Sequence, residues 1–487
     1  MDTVDERLGD GLERVLCAHH ARRLRRLGRS GVLTPRPDTD GYAAGPAVRD
    51  GNRIEVLIDG MRVLPAIAEA IRNARSSVHV AGWHITPDFR VLRDGDGDGS
   101  GDGGVTVREL LAEAAERVPV RVLLWAGPPL PVFEPTRARA KAARDALTGG
   151  TAVRCVLDAR ERTLHCHHEK LVIVDDAVAF VGGIDLTDVE GDRHDSERHP
   201  PHPGLGWHDA AMRIHGPLVA DVAEHFRQRW VELTGDGLPR PVVPPPAGTS
   251  RAQLVRTVPE RTYSFARAGE FSILDAYLRA LHSARDLIYL ENQFLWSPEV
   301  VEVLVDKLRH PPHDGFRVVL LLPRRPSNGA DTTRGQLGRL LDADEEAGPD
   351  PQLLATTINS HDGERSGSVY VHAKVGIVDD RWLTIGSANL NEHSLFNDTE
   401  VNVVTTDAEL ARSTRLRLWS EHLQLPIADI DGDPAEVVDR CWRPVADEQA
   451  RRESAGHRRT HRLSMLPGVS RRSERLAGPL RGLLVDG

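Results

Sequence analysis

The stretch HCHHEKLVIVDDAVAFVGGIDL, from His165 to Leu186, has a counterpart later in the chain, VHAKVGIVDDRWLTIGSANL, from Val371 to Leu390. Both follow one spacing, His-x-Lys-x4-Asp-x6-Gly-[Gly/Ser]-x-[Asp/Asn]. The residues at the shared positions are His168, Lys170, Asp175, Gly183 and Asp185 in the first copy and His372, Lys374, Asp379, Ser387 and Asn389 in the second. A spacing this specific that occurs twice indicates two copies of one structural unit.

An apolar run follows each motif lysine, LVIV after Lys170 and VGIV after Lys374, which predicts a buried strand. Residues two apart on a strand point to the same face, so each strand should present an imidazole beside an ammonium group. Such a pair suits a phosphoryl group, because it combines a nucleophile or acid with a fixed positive charge. The chain holds only four lysines, and two of them occupy these positions, which indicates that the site needs a compact point charge.

Two further segments repeat in the same order. LPAIAEAIRNARSSVHVAGW, at residues 64–83, matches LDAYLRALHSARDLIYLENQ, at residues 274–293, and both join a helical apolar period to a short apolar run. VRVLLW at 120–125 matches FRVVLL at 316–321, and such continuous apolar runs are typical of strands buried on both faces. The alternation of helix and strand predicts an α/β fold, with mainly parallel or mixed sheets flanked by helices.

Composition divides the chain into four predicted regions: an N-terminal extension at 1–50, a first lobe at 51–245, a second lobe at 250–440 and a basic, disordered tail at 441–487. The linker PRPVVPPPAGT at 239–249 marks the boundary between the lobes. The segment DGDGDGSGDGG at 94–104 opens like a calcium loop, but its twelfth position is Val105 instead of a bidentate glutamate. We interpret this segment as a flexible surface insertion.

The formal net charge of -10 disfavours a nucleic-acid partner, because phosphate-binding surfaces are usually basic. The sequence has neither a signal-peptide run nor an apolar stretch long enough to span a bilayer, which predicts a cytoplasmic protein that touches membranes at the surface.

No metal or cofactor is expected, and activity should survive chelators. His165, Cys166 and His167 lack the partner pair of a structural zinc site, and His194, His199 and His202 fall in a polar, proline-rich loop. The cysteines follow no zinc or redox spacing.

The two motifs resemble those of the phospholipase D superfamily. Companion segments are similar too: AGWHITPD at 81–88, GPLVADVAEHFRQRW at 216–230, YLENQF at 289–294 and GSANLNEHS at 386–394. The resemblance implies two pseudo-symmetric lobes with the active site at their interface. It also implies that one histidine is a nucleophile that becomes phosphorylated while the other is a general acid, and by family pattern His168 is the nucleophile and His372 the acid.

The resemblance extends to the supporting residues. A carboxylate downstream of each motif is expected to orient the histidine of that motif, which suggests Asp209 for the first and Glu400 for the second. Lys170, Lys374 and Asn389 would bind the substrate phosphate, with Ser387 and Asp185 beside them, although Asp185 departs from the usual asparagine. Asp175 and Asp379 complete the catalytic motifs, with a structural or supporting role favoured over proton transfer.

The favoured function is hydrolysis of phospholipid headgroups, or their transfer to an alcohol, by a monomer at a membrane surface. A cardiolipin synthase-like transferase would use the same chemistry with a glycerol-bearing lipid as acceptor. A nucleic-acid phosphodiesterase is disfavoured by the net charge. A non-enzymatic lipid-binding scaffold is disfavoured because both motifs are intact.

Overall fold

A computed structural model describes residues 2–35, 41–93, 103–129, 134–161, 165–189, 191–201, 204–327 and 330–467. The α-helices of this part are α1 (Asp2–Arg26), α2 (Gly60–Arg72), α3 (Val107–Ala115), α4 (Arg137–Thr148), α5 (Leu218–Thr234), α6 (Ser272–Ser283), α7 (Pro298–Arg309), α8 (Ala330–Ala347), α9 (Ala408–Leu423), α10 (Ile427–Ile430), α11 (Pro434–Val437) and α12 (Arg443–Ser454). Most of the predicted insertion at 94–104 lies outside the described residues.

The strands that precede the linker at 239–249 are β1 (Val48–Ile58), β2 (Val78–Gly82), β3 (Arg90–Arg93), β4 (Gly104–Thr106), β5 (Val120–Trp125), β6 (Arg154–Asp158), β7 (Leu171–Val174), β8 (Val178–Gly182), β9 (Gly206–His208) and β10 (Ala210–His215). Those that follow it are β11 (Ser250–Val258), β12 (Glu270–Phe271), β13 (Leu287–Glu291), β14 (Arg317–Leu321), β15 (Leu353–His361), β16 (Ser366–Val371), β17 (Val375–Val378), β18 (Trp382–Gly386), β19 (Glu400–Thr405) and β20 (Leu463–Met465).

The strand order repeats. Outward from the antiparallel β1–β11 pair, one series runs β1-β10-β8-β7-β2-β5-β6 and the other β11-β19-β18-β17-β13-β14-β15. We call β1–β10 the first repeat and β11–β19 the second. In both series the three outermost strands are parallel and the others antiparallel, so the sheet is mixed. The α/β prediction is confirmed, and the exact lobe boundaries stay predictions.

Apolar side chains explain why these strands form. Every residue of β7, β13, β14 and β17 is buried, as the continuous apolar runs predicted, because helices cover both faces of the sheet. In one core cluster Trp230, Trp419 and Trp442 are fully buried. The described residues include no helix with the length and apolar character needed to cross a membrane.

Two short segments cross between the repeats. β9, which precedes Asp209, pairs in parallel with β16, which precedes His372. In the matching place His167 forms a parallel bridge with Thr399, the residue before Glu400. Each motif histidine therefore enters its strand alongside a segment of the other repeat.

The prediction of a disordered tail at 441–487 is wrong for the residues up to 467. Helix α12 and strand β20 are ordered, and β20 pairs antiparallel with β15. Trp442, which precedes α12, packs with ring centroids 5.4 Å from Trp419. Burial of this ring against the core offsets the low apolar content that made the segment look unstructured. Residues 468–487 lie outside the described part of the chain.

Candidate active site

The two motif histidines face each other where the repeats meet. The ring centroids of His168 and His372 are 6.4 Å apart, with an interplanar angle of 66°. Both side chains are nearly buried, at 4% and 7% exposure. Two imidazoles that face each other in this way suit phosphoryl chemistry, because one can attack phosphorus while the other meets an oxygen on the opposite side.

A carboxylate holds each histidine through Nδ1. His168 Nδ1 lies 3.0 Å from Glu400 Oε1 and 3.1 Å from the carbonyl oxygen of Ser387, and His372 Nδ1 lies 2.6 Å from Asp209 Oδ2. The prediction that each carboxylate serves the histidine of its own motif is therefore wrong. The crossing segments carry Glu400 to the first motif and Asp209 to the second, so each histidine is oriented by the other repeat.

Each carboxylate has its own donors. The hydroxyls of Ser387 and Ser394 each donate to Glu400 at 2.5 Å, and the backbone N–H of Ala210 donates to Asp209 at 2.8 Å. A Cβ at Gly183 would stand 2.1 Å from Asp209 Oδ1, so only glycine fits there. The Gly/Ser difference between the motifs therefore follows from the carboxylate beside each position.

Burial dominates the electrostatics of the two carboxylates. It raises the pKa of Glu400 to about 7 and that of Asp209 to about 6. Burial, and then the charges of Lys374, Arg193 and Lys170, hold the pKa of His372 well below its usual value. His372 is therefore neutral in the free protein at neutral pH.

The two lysines differ in their partners. Each donates to the backbone carbonyl of its own histidine, Lys170 at 2.7 Å and Lys374 at 2.5 Å. Lys170 also forms an ion pair with Asp185 at 3.0 Å, whereas Lys374 donates to Gln293 Oε1 at 3.1 Å. Gln293 also accepts from Asn389 Nδ2 at 3.3 Å. The first copy thus balances its lysine with a carboxylate where the second has the uncharged Asn389.

Gln293 was absent from the sequence-based list of site residues. The sequence signal was the companion segment YLENQF at 289–294, which contains Gln293. The repeat aligns Gln293 with Trp83, whose backbone N–H donates to Asp185 at 3.1 Å. Trp83 directly follows β2, and Gln293 lies two residues after the end of β13. These two strands pair with the motif strands β7 and β17, so both residues lie at the same end of the sheet as the motif lysines.

Asp175 and Asp379, counted among the catalytic residues from sequence, lie at the far ends of the motif strands. Asp175 and Asp176 have φ of 59° and 50°, the geometry of the tight turn that joins β7 to β8. The Asp175 carboxylate accepts from the backbone N–H groups of residues 75–77, and that of Asp379 accepts from those of residues 285–287. Their assignment as catalytic is corrected: they tie the motif hairpins to the preceding helix–strand turns.

The comparisons with known proteins agree with this geometry. The family model described as "Phospholipase D" matches residues 70–205, which include the first motif. The family model described as "Cardiolipin synthase, PLD-like domain" matches residues 277–419, which include the second. The chain belongs to the phospholipase D superfamily.

Individual members of the superfamily are similar over most of the chain. "Phospholipase D alpha 1" of Zea mays is 25% identical, over 80% of this chain and 68% of its own length. "Phospholipase D A" of Dictyostelium discoideum is 27% identical, over 77% of this chain and 36% of its own length. The crystal structure of phosphatidylserine synthase from Haemophilus influenzae Rd KW20 shares the fold, with a TM-score of 0.53, 14% identity, and coverage of 83% of this chain and 93% of that one.

Behind His372, this superfamily member carries a fully buried charge network. His208, whose carbonyl oxygen accepts from His372 N–H at 2.8 Å, lies 3.0 Å from both Asp59 and Glu291. Glu421 lies 2.9 Å from His199. Burial lowers the pKa of His208, but Asp59, Glu291 and Glu421 raise it well above its usual value, so His208 is charged.

One member of this network differs from expectation. His199 lies in an irregular loop, as the sequence predicts, but its side chain is completely buried. Asp59, His199, His208 and Glu421 lie close enough to one another to hold a metal ion. In this structure they form direct ion pairs with one another.

A second buried network supports the His168 strand. Glu169, between His168 and Lys170, contacts His225 Nε2 and Arg229 Nη1. Arg229 donates to Asp158 at 2.8 Å, and His167 lies 3.1 Å from the same carboxylate. His167 therefore belongs to this network and not to the catalytic gap.

Aromatic rings line the His372 side of the gap. The centroids of Trp207 and His372 are 4.9 Å apart, and Tyr370 stacks on Trp207 at 4.9 Å. The Arg193 guanidinium lies 3.3 Å from the Trp207 ring centroid, which places a buried cation near His372. This wall adds positive charge where an anionic substrate would bind.

The exchange of carboxylates predicts that one repeat cannot work alone. A fragment of residues 1–245 keeps His168 and Lys170 but lacks both Glu400 and His372, so we expect no turnover of a nitrophenyl phosphodiester. The measurement is the activity of the monomeric fraction from size-exclusion chromatography, with circular dichroism as the control for folding. An active monomeric fragment would show that one motif suffices.

The raised pKa of Glu400 predicts a pH-dependent stability. The pKa of Glu400 is raised from 4.5 to about 7 in the folded protein. Ionisation of Glu400 therefore destabilises the folded state by about 3 kcal/mol above about pH 7, and this penalty disappears well below the unfolded pKa. We expect Glu400→Gln to raise the melting temperature relative to the unmodified protein at about pH 8, with the gain shrinking towards about pH 4.

The same variant should lose activity, by about a hundredfold or more, because an uncharged amide stabilises positive charge that develops on the His168 ring less than a carboxylate does. Glu409→Gln, at an exposed position of α9, is the matched control and should change neither property. Equal destabilisation by Glu400→Gln at both pH values would contradict this electrostatic account.

Proposed function

We propose that the chain hydrolyses or transfers phospholipid headgroups through a phosphohistidine on His168. Its phospholipase D-type activity follows from its superfamily and relatives, and the observation that carries the finer proposal is the facing pair His168 and His372, each held at Nδ1 by a carboxylate. With Nδ1 engaged, Nε2 is the nitrogen that can meet phosphorus or a leaving oxygen.

The chemistry proceeds in two balanced steps. First, Nε2 of His168 attacks phosphorus, the P–O bond to the leaving alcohol breaks, and His372 donates its proton to the departing oxygen. Then His372 takes a proton from water or an alcohol as that oxygen attacks the phosphohistidine and the P–N bond breaks. Lys170, Lys374 and Asn389 stabilise the phosphoryl oxygens, so no step requires a metal ion.

The low pKa of His372 bears on these roles. A general acid must carry a proton, yet His372 is neutral in the free protein. An anionic phosphodiester that enters the gap adds negative charge beside the ring and raises its proton affinity. We therefore infer that substrate binding takes up a proton at His372. The alternative is the reversed assignment, with His372 as the nucleophile. It would be favoured because His372 is neutral in the free protein, as a nucleophile must be.

The substrate proposal rests on the relatives. Two of them are named as phospholipases D, which supports a phospholipid substrate, and the second family model is described as a cardiolipin synthase domain, which supports transfer to a lipid alcohol as the alternative. The net charge of -10 supports lipid over nucleic acid. We further propose that the enzyme is a monomer, because one chain supplies both histidines and both carboxylates. A location in the cytoplasm, at a membrane surface, goes with the proposed lipid substrate.

Lipid products distinguish these possibilities. We expect vesicles of phosphatidylcholine or phosphatidylglycerol to yield phosphatidic acid, and added ethanol to divert part of the product to phosphatidylethanol, because water and alcohol compete for one phosphohistidine. Mass spectrometry of the extracted lipids is the measurement, and His168→Ala is the inactive control. A diphosphatidyl product from phosphatidylglycerol would favour the transferase, and cleavage of DNA without lipid products would overturn the proposal.

Trapping the intermediate tests the two roles. His168→Ala should form no adduct, because the attacking nitrogen is gone. His372→Ala should still be phosphorylated on His168 by a nitrophenyl phosphodiester, since that leaving group needs little protonation, and the adduct should persist because no base then activates water. Mass spectrometry locates the acid-labile phosphate. An adduct on His372 in the His168→Ala variant would reverse the roles, and no adduct on either histidine would refute the covalent mechanism.

A further inference from the structure

Three potential metal ligands meet at the crossing beside the first motif, outside the catalytic gap. His165 lies three residues before His168, His393 opens a π-helical turn (His393–Asn397), and Asp398 follows that turn. His165 Nδ1 lies 3.7 Å from Asp398 Oδ1, and the rings of His165 and His393 are 5.5 Å apart. One potential ligand atom from each residue lies within 4.8 Å of the other two.

The backbone holds this group in place. Asp398 N–H donates to the carbonyl of His393 at 2.8 Å, and Cys166 N–H donates to Asp398 Oδ1 at 2.9 Å. Thr399 N–H donates to the carbonyl of Cys166 at 3.0 Å. The ligands therefore come from both repeats and converge through hydrogen bonds that do not depend on an ion.

We propose that His165, His393 and Asp398 bind a transition-metal ion of the zinc type. Two imidazoles and one carboxylate are the donor set that zinc accepts, whereas calcium and magnesium prefer oxygen ligands. Two ligands about 2.1 Å from a tetrahedral ion stand ~3.4 Å apart, close to the 3.7 Å between His165 and Asp398. That separation is too long for a hydrogen bond between the two side chains.

Burial gives the site a closed side and an open side. Asp398 is fully buried and His393 is 3% exposed, whereas the His165 side chain is 20% exposed. An ion can enter past His165 and complete its coordination with water there.

The position implies a structural ion. Asp398 stands two residues before Glu400, so the ion would join the segment that carries Glu400 to the segment that carries His168. Binding should stabilise the crossing of the two repeats and leave the chemical step to the histidines. The inference does not depend on the proposed lipid substrate.

The test is metal binding by the full chain after treatment with a chelator. We expect one Co²⁺ to bind with the visible absorption of a tetrahedral nitrogen–oxygen site, Zn²⁺ to displace it, and Zn²⁺ to raise the melting temperature. His165→Ala and Asp398→Asn should each weaken Co²⁺ binding at least about tenfold. Asn at 398 keeps the oxygen that accepts from Cys166, so this variant should fold.

His310→Ala is the matched control, because that imidazole is exposed and remote from both motifs in sequence, and it should leave Co²⁺ binding unchanged. Absence of Co²⁺ and Zn²⁺ binding to the unmodified chain would overturn the proposal. So would binding that keeps its affinity and spectrum in both His165→Ala and Asp398→Asn, since the ion would then lie elsewhere, for example at the His208 network. None of these readouts involves lipid turnover.

Discussion

Each motif histidine depends on a carboxylate from the other repeat, and this exchange determines how the two repeats must be arranged. A buried carboxylate is costly unless hydrogen-bond donors surround it, and the raised pKa values of Glu400 and Asp209 reflect that cost. The crossing of β9 with β16, and the bridge between His167 and Thr399, deliver both carboxylates to their histidines with fixed backbone geometry. Two separate domains with a loose interface could not hold a distance of 2.6 Å between His372 and Asp209.

The two repeats have matching strand orders, but the side chains around their histidines differ. The strand series match one for one, yet the first motif pairs Lys170 with Asp185 where the second has the neutral Asn389. Glu400 receives two hydroxyl donors, whereas the close approach of Asp209 leaves room only for Gly183. Such differences give two like imidazoles unlike surroundings, which an acid and a nucleophile in one gap require.

Short sequence patterns predicted most features that depend on neighbouring residues. The period of two along each motif strand placed histidine and lysine on one face, and the apolar repeats located the strands that flank them. Long-range pairing was beyond such reasoning: nothing near Glu400 in sequence indicates that it serves His168 and not His372. The burial of His199 was missed for the same reason, because its partners Asp59 and Glu421 are remote in sequence. The sequence favoured a structural role for Asp175, but its partners, the backbone N–H groups of residues 75–77, are remote in sequence and were missed for the same reason.

The buried networks behind the motifs raise the question of why charged side chains support this site at all. Well-packed apolar residues are often as stabilising as a buried ion pair, so stability alone does not explain them. Hydrogen bonds have direction, however, and apolar contacts do not. The ring of His208 is held at both nitrogens, by Asp59 and Glu291, while its carbonyl oxygen receives the N–H of His372. Any shift of that ring would break a charged hydrogen bond in a dry interior, where the loss is large. The network therefore ties the backbone beneath His372 to charged groups from several parts of the chain, and apolar contacts would give that backbone no such directional hold.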